Sequence, residues 1–244
     1  MNLFNEFLYR PLFNALIFIY DYLPDIGISI IILTVLIRII LFPLFYKGAK
    51  DMAIMQGLSP KIKEIQKKHK SDRQKQAEAL MKVYKDHKVS PFSGFLLIIV
   101  QVPIMIAFYR IFLTGFPDES LNSLYSFIVR PESLSHYFLG IIDLSKRNFF
   151  LAISAAVFQY FQGKLSLPKT KVNFNSLNPF EKMGRQMIYI GPVMTFVFLY
   201  ILKFPSAIAL FWLTTTIFSV IQQLIINKEL ASNERISKQP GKNN

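Results

Sequence analysis

The sequence predicts an all-α membrane protein of five transmembrane helices, with its N-terminus outside the cytoplasm and its C-terminus inside. Hydrophobic residues make up 52% of the 244 residues, which is too apolar for soluble domains of this length. Apolar runs of about 17 to 25 residues, the length that crosses a hydrocarbon core, recur five times. The net charge of +13 comes from Lys and Arg residues between these runs, where membrane topology signals lie.

The apolar runs and the segments between them divide the chain into ten parts. In order, we predict an extracytoplasmic interfacial helix (1–25), transmembrane helix 1 (26–46), a cytoplasmic helical hairpin (47–91), transmembrane helix 2 (92–115), an extracytoplasmic loop (116–148), transmembrane helix 3 (149–165), a cytoplasmic loop (166–186), transmembrane helix 4 (187–203), transmembrane helix 5 (206–226) and a basic cytoplasmic tail (227–244). Pro205 separates the last two helices and predicts that they pair as an antiparallel hairpin.

The distribution of Lys and Arg sets the orientation, because cytoplasmic loops near membrane spans retain positive charge. Residues 47–91 carry twelve Lys and Arg, residues 164–186 carry five and the tail carries four. Residues 1–25 carry one and residues 116–148 carry three. The poorly charged segments are therefore predicted to lie outside.

The first 25 residues lack the basic start and the small-residue cleavage site of a signal peptide, so we expect them on the mature protein. Their apolar residues recur at near-helical spacing, which favours an amphipathic helix in the outer interface, bent at Pro11. An irregular apolar tail is the alternative.

The segment 47–91 has the signals of two soluble helices. Ser59 and Pro60 predict the start of the first, and a capping box from Ser71 to Gln74 predicts the start of the second. Its many lysines fit a solvated face, or contact with anionic lipid headgroups or ribosomal RNA.

Arg38 lies inside the first predicted span, about 12 Å from its cytoplasmic end at 1.5 Å per residue. This depth is too great for simple snorkelling, and no Asp or Glu lies in any of the five spans. An intramembrane arginine without a carboxylate partner is either a structural residue satisfied by neighbouring helices or part of a hydrated cavity. The second interpretation predicts a hydrophilic groove open to the cytoplasm.

Polar side chains in the other spans are predicted to line that groove together with Arg38. They are Gln101, Gln159, Gln162, Thr215 and Ser219, and we place Trp212 with them. Amides and hydroxyls also join helices across ordinary packing interfaces, and interface anchoring or packing fits Trp212 equally well.

No residue pattern indicates bond-making chemistry or a cofactor. The chain has no Cys, which excludes a disulfide framework, a thiolate metal site and a cysteine nucleophile. Its three histidines, His69, His87 and His136, fall in segments predicted on opposite sides of the membrane. We therefore predict neither an enzyme nor a metal site.

Several segments together resemble the YidC-type membrane protein insertases, the family that includes the mitochondrial Oxa and chloroplast Alb proteins. The resemblance covers residues 27–227. It is carried by Thr34 to Leu44 around Arg38, Met55 and Gln56, Pro60 to Gln66, Gln101 to Ile104, Ala107 to Tyr109, Phe161 to Ser166, Phe204 to Ser206, Leu210 to Trp212, and Gln222 and Gln223. The chain looks like a short form without a large extracytoplasmic domain.

This resemblance implies a five-helix core whose groove opens to the cytoplasm and to lipid. Arg38 would supply the positive charge that attracts acidic residues of an incoming segment. The implied location is the bacterial cell membrane. The implied partners are nascent membrane proteins, membrane lipids, the ribosome and the Sec translocon, with the protein acting as a monomer. Two alternatives are a small channel or transporter subunit using Arg38 as an anion site, and a membrane scaffold that binds nucleic acid through its hairpin.

Overall fold

The computed structural model describes residues 3–113, 121–131, 134–167 and 179–237. A π-helical turn, Asn5–Tyr9, leads into the first helix. Nine α-helices lie in these ranges: α1 Arg10–Tyr22, α2 Ile26–Ile40, α3 Phe42–Gly57, α4 Ser59–Lys68, α5 Arg73–Asp86, α6 Ser93–Leu113, α7 Phe149–Ser166, α8 Pro179–Phe196 and α9 Ser206–Ser237. The strands β1, Tyr137–Phe138, and β2, Ile142–Asp143, form an antiparallel hairpin. The predicted mainly helical fold is confirmed.

Two described helices are long and apolar enough to cross a membrane by themselves, α6 and the Ser206–Ser232 part of α9. The pair of α2 and α3 adds a third span if the two helices are counted together. A shorter apolar stretch, Arg185–Ile201, joins α8 to the π-helical turn Val197–Ile201. By length and composition, the described ranges therefore contain two or three candidate spans.

The first predicted span is not one straight helix. Helix α2 ends at Ile40, and α3 begins at Phe42 after a bend of 67°. Pro43 explains the break, because proline lacks the backbone N–H that would continue the ladder and its ring clashes with the carbonyl four residues earlier. The bend turns the chain out of the α2 axis well before residue 46, where we predicted the span to end.

Helix α1 packs against α2 through an apolar face and is fixed by a buried amide. Phe13, Leu16 and Ile17 are fully buried. Asn14 Nδ2 donates to the Arg10 and Ser123 carbonyls at 2.8 and 3.1 Å, and its Oδ1 accepts from the backbone N–H of Tyr125 at 2.6 Å. The predicted amphipathic helix is present, with its apolar face turned toward the helix bundle.

The segment predicted as a helical hairpin contains α4 and α5 and the second half of α3. Helix α4 begins at Ser59, one residue earlier than predicted, because Leu58 and not Ser59 is at the N-cap position; Pro60 lies in the first turn. Helix α5 begins one residue later than the predicted capping box implies, because Asp72 is the N-cap and its Oδ1 accepts from the Lys75 N–H at 3.0 Å. A carboxylate caps as well as a serine hydroxyl does, so either assignment fits the sequence.

Two close contacts fix α3 against α6. A Cβ atom on Gly48 would lie 2.8 Å from the Leu97 side chain, so glycine leaves the space that this side chain occupies. Asp51 is buried, and its Oδ2 accepts from the Ser93 hydroxyl at 2.5 Å and from the Ser90 N–H at 3.3 Å. These bonds join the start of α6 to the middle of α3.

The last helix continues beyond the predicted span. We expected a tail from residue 227, yet α9 remains helical to Ser237. Glu229 in this extension accepts hydrogen bonds from Lys50 Nζ, at 2.6 Å, and from the Tyr46 hydroxyl. The extension is therefore tied to α3. Residues 238–244 lie outside the described ranges.

The β-hairpin joins the N-terminal ends of three helices. Asp25 caps α2 by accepting from the Ile28 N–H at 2.9 Å, and its other oxygen accepts from the Leu139 N–H at 2.6 Å. The Ser206 and Ala207 N–H groups at the start of α9 donate to the Lys146 and Leu144 carbonyls. Helix α7 starts immediately after this region, at Phe149. One end of the bundle is thus held together by a small, hydrogen-bonded connector.

Asp143 provides a second carboxylate that is paired within this connector. Lys146 lies 2.8 Å from Asp143, and the Ser145 hydroxyl also donates to Asp143. Both donors hold the pKa of Asp143 at about 2. Because the pKa is lowered on folding, this contribution to stability is fully present above the ordinary Asp pKa of 3.8 and is lost as the pH falls from there through about 2.

We expect Asp25→Ala to destabilise the fold. Removing the carboxylate deletes the α2 cap, which costs about 0.5–2 kcal/mol, and also the bond to the hairpin turn. Asp25→Asn retains one acceptor oxygen and should lose less. Thermal unfolding in detergent, followed by the fluorescence of the single Trp212, measures the difference. Equal melting temperatures for the wild type and Asp25→Ala would contradict this role.

Candidate functional site

Arg38 lies in a small cavity where four helices meet. The cavity is lined by Thr34, Ile37 and Arg38 of α2, Phe45 of α3, Gln101 and Ile104 of α6, and Phe211 and Thr215 of α9. Arg38 itself is only 6% exposed. Its position on the last turn of α2, just before the bend, directs the side chain into this junction.

Two neighbours hold the guanidinium group. Arg38 Nη2 donates to Gln101 Oε1 at 3.2 Å, and the guanidinium carbon lies 4.4 Å from the centre of the Phe45 ring. Hydrogen bonding to an amide and stacking on an aromatic ring are favourable for arginine. Neither neighbour carries a negative charge. Across the described part of the chain, Arg38 has no carboxylate within ion-pair distance.

The cavity is small in this conformation. Its volume of about 10 Å³ corresponds to the space of about one water molecule. Four of its side chains, Thr34, Arg38, Gln101 and Thr215, are polar, and the other four are apolar. The site therefore combines a buried cation with room for a single hydrogen-bonding guest, and binding a larger group would require the helices to separate.

The structure brings three of the predicted groove residues together and places the other four elsewhere. Arg38, Gln101 and Thr215 line the cavity. Gln159 accepts a hydrogen bond from Thr195 of α8, and Gln162 is half-buried one turn further along α7. The Ser219 hydroxyl donates to the Thr215 carbonyl at 2.9 Å in its own helix. Trp212 packs at the edge of the hydrophobic core.

Phe45, whose ring stacks on the Arg38 guanidinium group, is one of the cavity residues that sequence reasoning missed. The apolar wall residues Ile104 and Phe211 were hidden in the same way, because nothing distinguishes them from other core positions. Thr34 was visible as a polar residue one turn before Arg38, although its hydroxyl donates to the Ile30 carbonyl. Within the described ranges, no group of three or more His, Asp or Glu side chains is placed to bind a metal ion.

We expect Gln101→Leu to destabilise the protein because it removes the hydrogen bond to a buried charge. Leaving such a group without its partner costs on the order of 1–3 kcal/mol. Gln101→Glu would instead supply a carboxylate and should restore stability while neutralising the site. Unfolding by titrated denaturant in detergent measures both variants. A Gln101→Leu midpoint equal to that of the wild type would show that another group or water holds Arg38.

Comparison with known proteins places this arrangement in a family. The sequence pattern of the family described as 60Kd inner membrane protein matches residues 18–234, which includes every residue of the Arg38 cavity. The chain belongs to this family. The membership confirms the resemblance drawn from the sequence motifs.

Curated relatives of this family member carry the name membrane protein insertase YidC. The protein from Citrifermentans bemidjiense is 33% identical over 91% of this chain. Those from Helicobacter pylori and Wolinella succinogenes are 32% and 34% identical over 96% and 95%. The chain spans only 37–39% of the length of these three relatives.

A crystal structure described as an active YidC insertase with its first transmembrane domain resolved is also similar. The match has a TM-score of 0.52 and 25% identity, and it covers 88% of this chain and 46% of the other. The shared fold, the family and the apolar helices confirm the prediction of a multi-pass bacterial membrane protein.

Proposed function

We propose that this protein is a membrane protein insertase, a non-enzymatic factor that receives segments of nascent membrane proteins and helps them to enter the bilayer. The family and the names of the relatives support this function. The observation that carries it for this chain is Arg38, a cation that is 6% exposed and is held by an amide and a ring instead of a carboxylate. A buried cation without a carboxylate partner is suited to transient pairing with an acidic group of a substrate.

The proposed topology keeps the five spans and the orientation given by the charge distribution. The spans correspond to α2 with the bend into α3, α6, α7, α8 with its π-helical turn, and α9. The basic segment 47–91, the loop 166–186 and the tail from residue 227 face the cytoplasm. Segments 1–25 and 116–148 lie outside, so the β-hairpin connector marks the outer end of the bundle.

In the proposed mechanism, the helices around Arg38 separate to form a groove open to the cytoplasm and to lipid. Acidic residues of a polar substrate tail pair transiently with Arg38 while its apolar helix partitions into the lipid alongside. Charges attract more strongly in a partly dehydrated site than in water. Holding the tail part-way across the membrane lowers the barrier to its transfer and requires no hydrolysis.

Gln159, Gln162, Trp212 and Ser219 belong to this proposal as residues that meet the substrate in the open state. Gln159 and Gln162 follow the same face of α7, and Trp212 and Ser219 lie on α9 on either side of Thr215. Movement of α9 away from the bundle would expose Trp212 and Ser219, whereas exposure of Gln159 requires α8, whose Thr195 bonds it, to move away from α7. The ribosome, the Sec translocon and membrane lipids are the proposed partners, and the working unit is proposed to be a monomer.

Reconstitution tests the function directly. Purified protein is incorporated into lipid vesicles, and a small membrane protein with a short translocated tail is synthesised in their presence. Protection of the tail from added protease reports insertion. We expect protection to increase with the amount of the reconstituted chain. Saturable flux of a small anion without any tail protection would instead favour the channel or transporter alternative.

A further inference from the structure

The β-hairpin connector has an unusual distribution of apolar side chains. Phe138 and Ile142 face each other across the two strands, and both pack against the hydrophobic core. Leu144 is buried behind them. In an antiparallel hairpin with one buried face, the other face is normally polar. Here the tip carries Leu139, 59% exposed, and Ile141, 82% exposed.

The turn of the hairpin has positive φ angles, which leucine rarely adopts. Leu139 has φ +52°, and Gly140 follows with φ +69°. Hairpin turns with positive φ usually use Asn, Asp or Gly, and a leucine there is uncommon. The Leu139 N–H is fixed by its 2.6 Å bond to Asp25. An exposed leucine kept in a strained turn indicates that the apolar tip has a use.

The tip lies at the level where the apolar helices begin. Asp25 ties the turn to the first residues of α2, and the Phe138 ring covers Gly27 so closely that a Cβ there would lie 2.2 Å from it. The first residues of α7, Phe149 and Phe150, are exposed at 46% and 74%. Exposed apolar side chains therefore occur both at the hairpin tip and at the start of α7, the helix that follows the connector in the chain.

Tyr137 completes the pattern. It is 48% exposed and pairs across the hairpin with Asp143, which binds Lys146. A tyrosine between an apolar tip and a charged pair matches the order of groups at a membrane interface, where aromatic rings lie at headgroup level. From this order we propose that the hairpin tip, Leu139 to Ile141, inserts into the bilayer interface and anchors the connector to the lipid of the outer leaflet.

This anchoring requires the membrane location and the outward position of the connector, but not insertase activity. Interfacial segments bury apolar side chains about 5–10 Å into the boundary between headgroups and acyl chains. At this depth Leu139 and Ile141 would be covered by lipid, while Asp143 and Lys146 would remain hydrated. The connector would then hold the outer ends of α2, α7 and α9 at a fixed depth in the bilayer.

The 244-residue chain contains no cysteine, which permits a direct test with single introduced cysteines. Ile141→Cys is labelled with an environment-sensitive fluorophore and reconstituted into phosphatidylcholine and phosphatidylglycerol vesicles. Nitroxide lipids carry the quencher near the headgroup or near the end of the acyl chain. Ser145→Cys is the matched control, because Ser145 is exposed in the same connector between the two members of the charged pair, Asp143 and Lys146. Tyr137→Cys provides a second reporter on the tip side.

We expect the label at 141 to show blue-shifted emission and to be quenched most by the nitroxide near the headgroup. The label at 137 should show a smaller effect, and the label at 145 should emit as in water. Equal quenching at 141 and 145, or water-like emission at 141, would overturn the proposal. If the emission at 141 is water-like, the tip does not bind lipid, and a partner protein becomes the alternative occupant of this surface.

Discussion

Arg38→Ala is expected to reduce insertion of substrates with acidic translocated tails by about fivefold or more. At 4 Å, two opposite charges attract by about 1 kcal/mol in water and about 4 kcal/mol at the effective dielectric of a protein surface. A loss of 1 kcal/mol corresponds to about fivefold. Substrates with apolar, uncharged tails should insert at nearly the wild-type rate. Tail protection in proteoliposomes measures both sets of substrates in parallel.

Two variants control for the loss of a positive charge in general. Arg38→Lys keeps the charge but loses the planar guanidinium group that stacks on Phe45, so its defect should be milder. Arg110→Ala removes a cation from the opposite end of α6, where Arg110 Nη1 bonds Asn5 at 2.9 Å, and should not discriminate between acidic and uncharged tails. A uniform rate for Arg38→Ala across the substrate set would refute the role of this charge.

Gly27→Ala is expected to produce the largest loss of stability among single changes at the outer end. The new Cβ would lie 2.2–2.6 Å from three atoms of Phe138, so the ring and the connector must move. Overpacking of this kind costs about 1–3 kcal/mol, although alanine would otherwise favour the helix by about 1 kcal/mol. Thermal unfolding in detergent should show a clearly lowered midpoint.

A double variant separates this clash from other effects of the substitution. Phe138→Ala removes the ring atoms at 2.2 and 2.5 Å but keeps the Cβ at 2.6 Å, so Gly27→Ala should be less destabilising in that background. Gly57→Ala is the matched single control, because a Cβ at Gly57 has nothing within 4 Å. If Gly27→Ala is equally destabilising with and without Phe138, contact with this ring is not the reason for the glycine.

The sequence predicted the helical content and the position of the buried cation because both follow from local patterns. Long apolar runs define membrane helices whatever their neighbours are. Arg38 stood out because a charge within such a run requires an explanation. Pro205 correctly marked the break before α9, but the predicted pairing of α8 with α9 is not seen: among the described helices, α9 packs mainly against α7 and α2, and α8 packs against α7.

The shape of the cavity could not be predicted, because it depends on the bend at Leu41. In a straight helix, residues seven apart are separated by about 10.5 Å along the axis, which gives no reason to pair Arg38 with Phe45. The 67° bend brings the guanidinium carbon to 4.4 Å from that ring. Pro43 was visible in the sequence and indicated a possible break. It did not indicate by what angle, or toward which neighbouring helix, the chain would bend.

The partners of the other polar residues were also beyond sequence reasoning. Helical spacing places Gln159 on a face of α7 but does not say which helix covers that face. In the structure α8 covers it, and Thr195 donates to Gln159. The extension of α9 is a similar case, because Glu229 is bonded by Lys50 and Tyr46, residues about 180 positions earlier in the chain. These contacts stabilise the C-terminal extension of α9, where local sequence patterns predict a tail.

The most direct test of a groove open only to the cytoplasm is the accessibility of single cysteines. Cysteine is introduced at Arg38, Gln101 or Thr215 in this naturally cysteine-free chain, with Gly57→Cys as a control, and a membrane-impermeant thiol reagent is added from each side. The proposed mechanism predicts labelling of all three cavity positions from the cytoplasmic side and none from outside. Labelling from both sides, or from neither side, would contradict it.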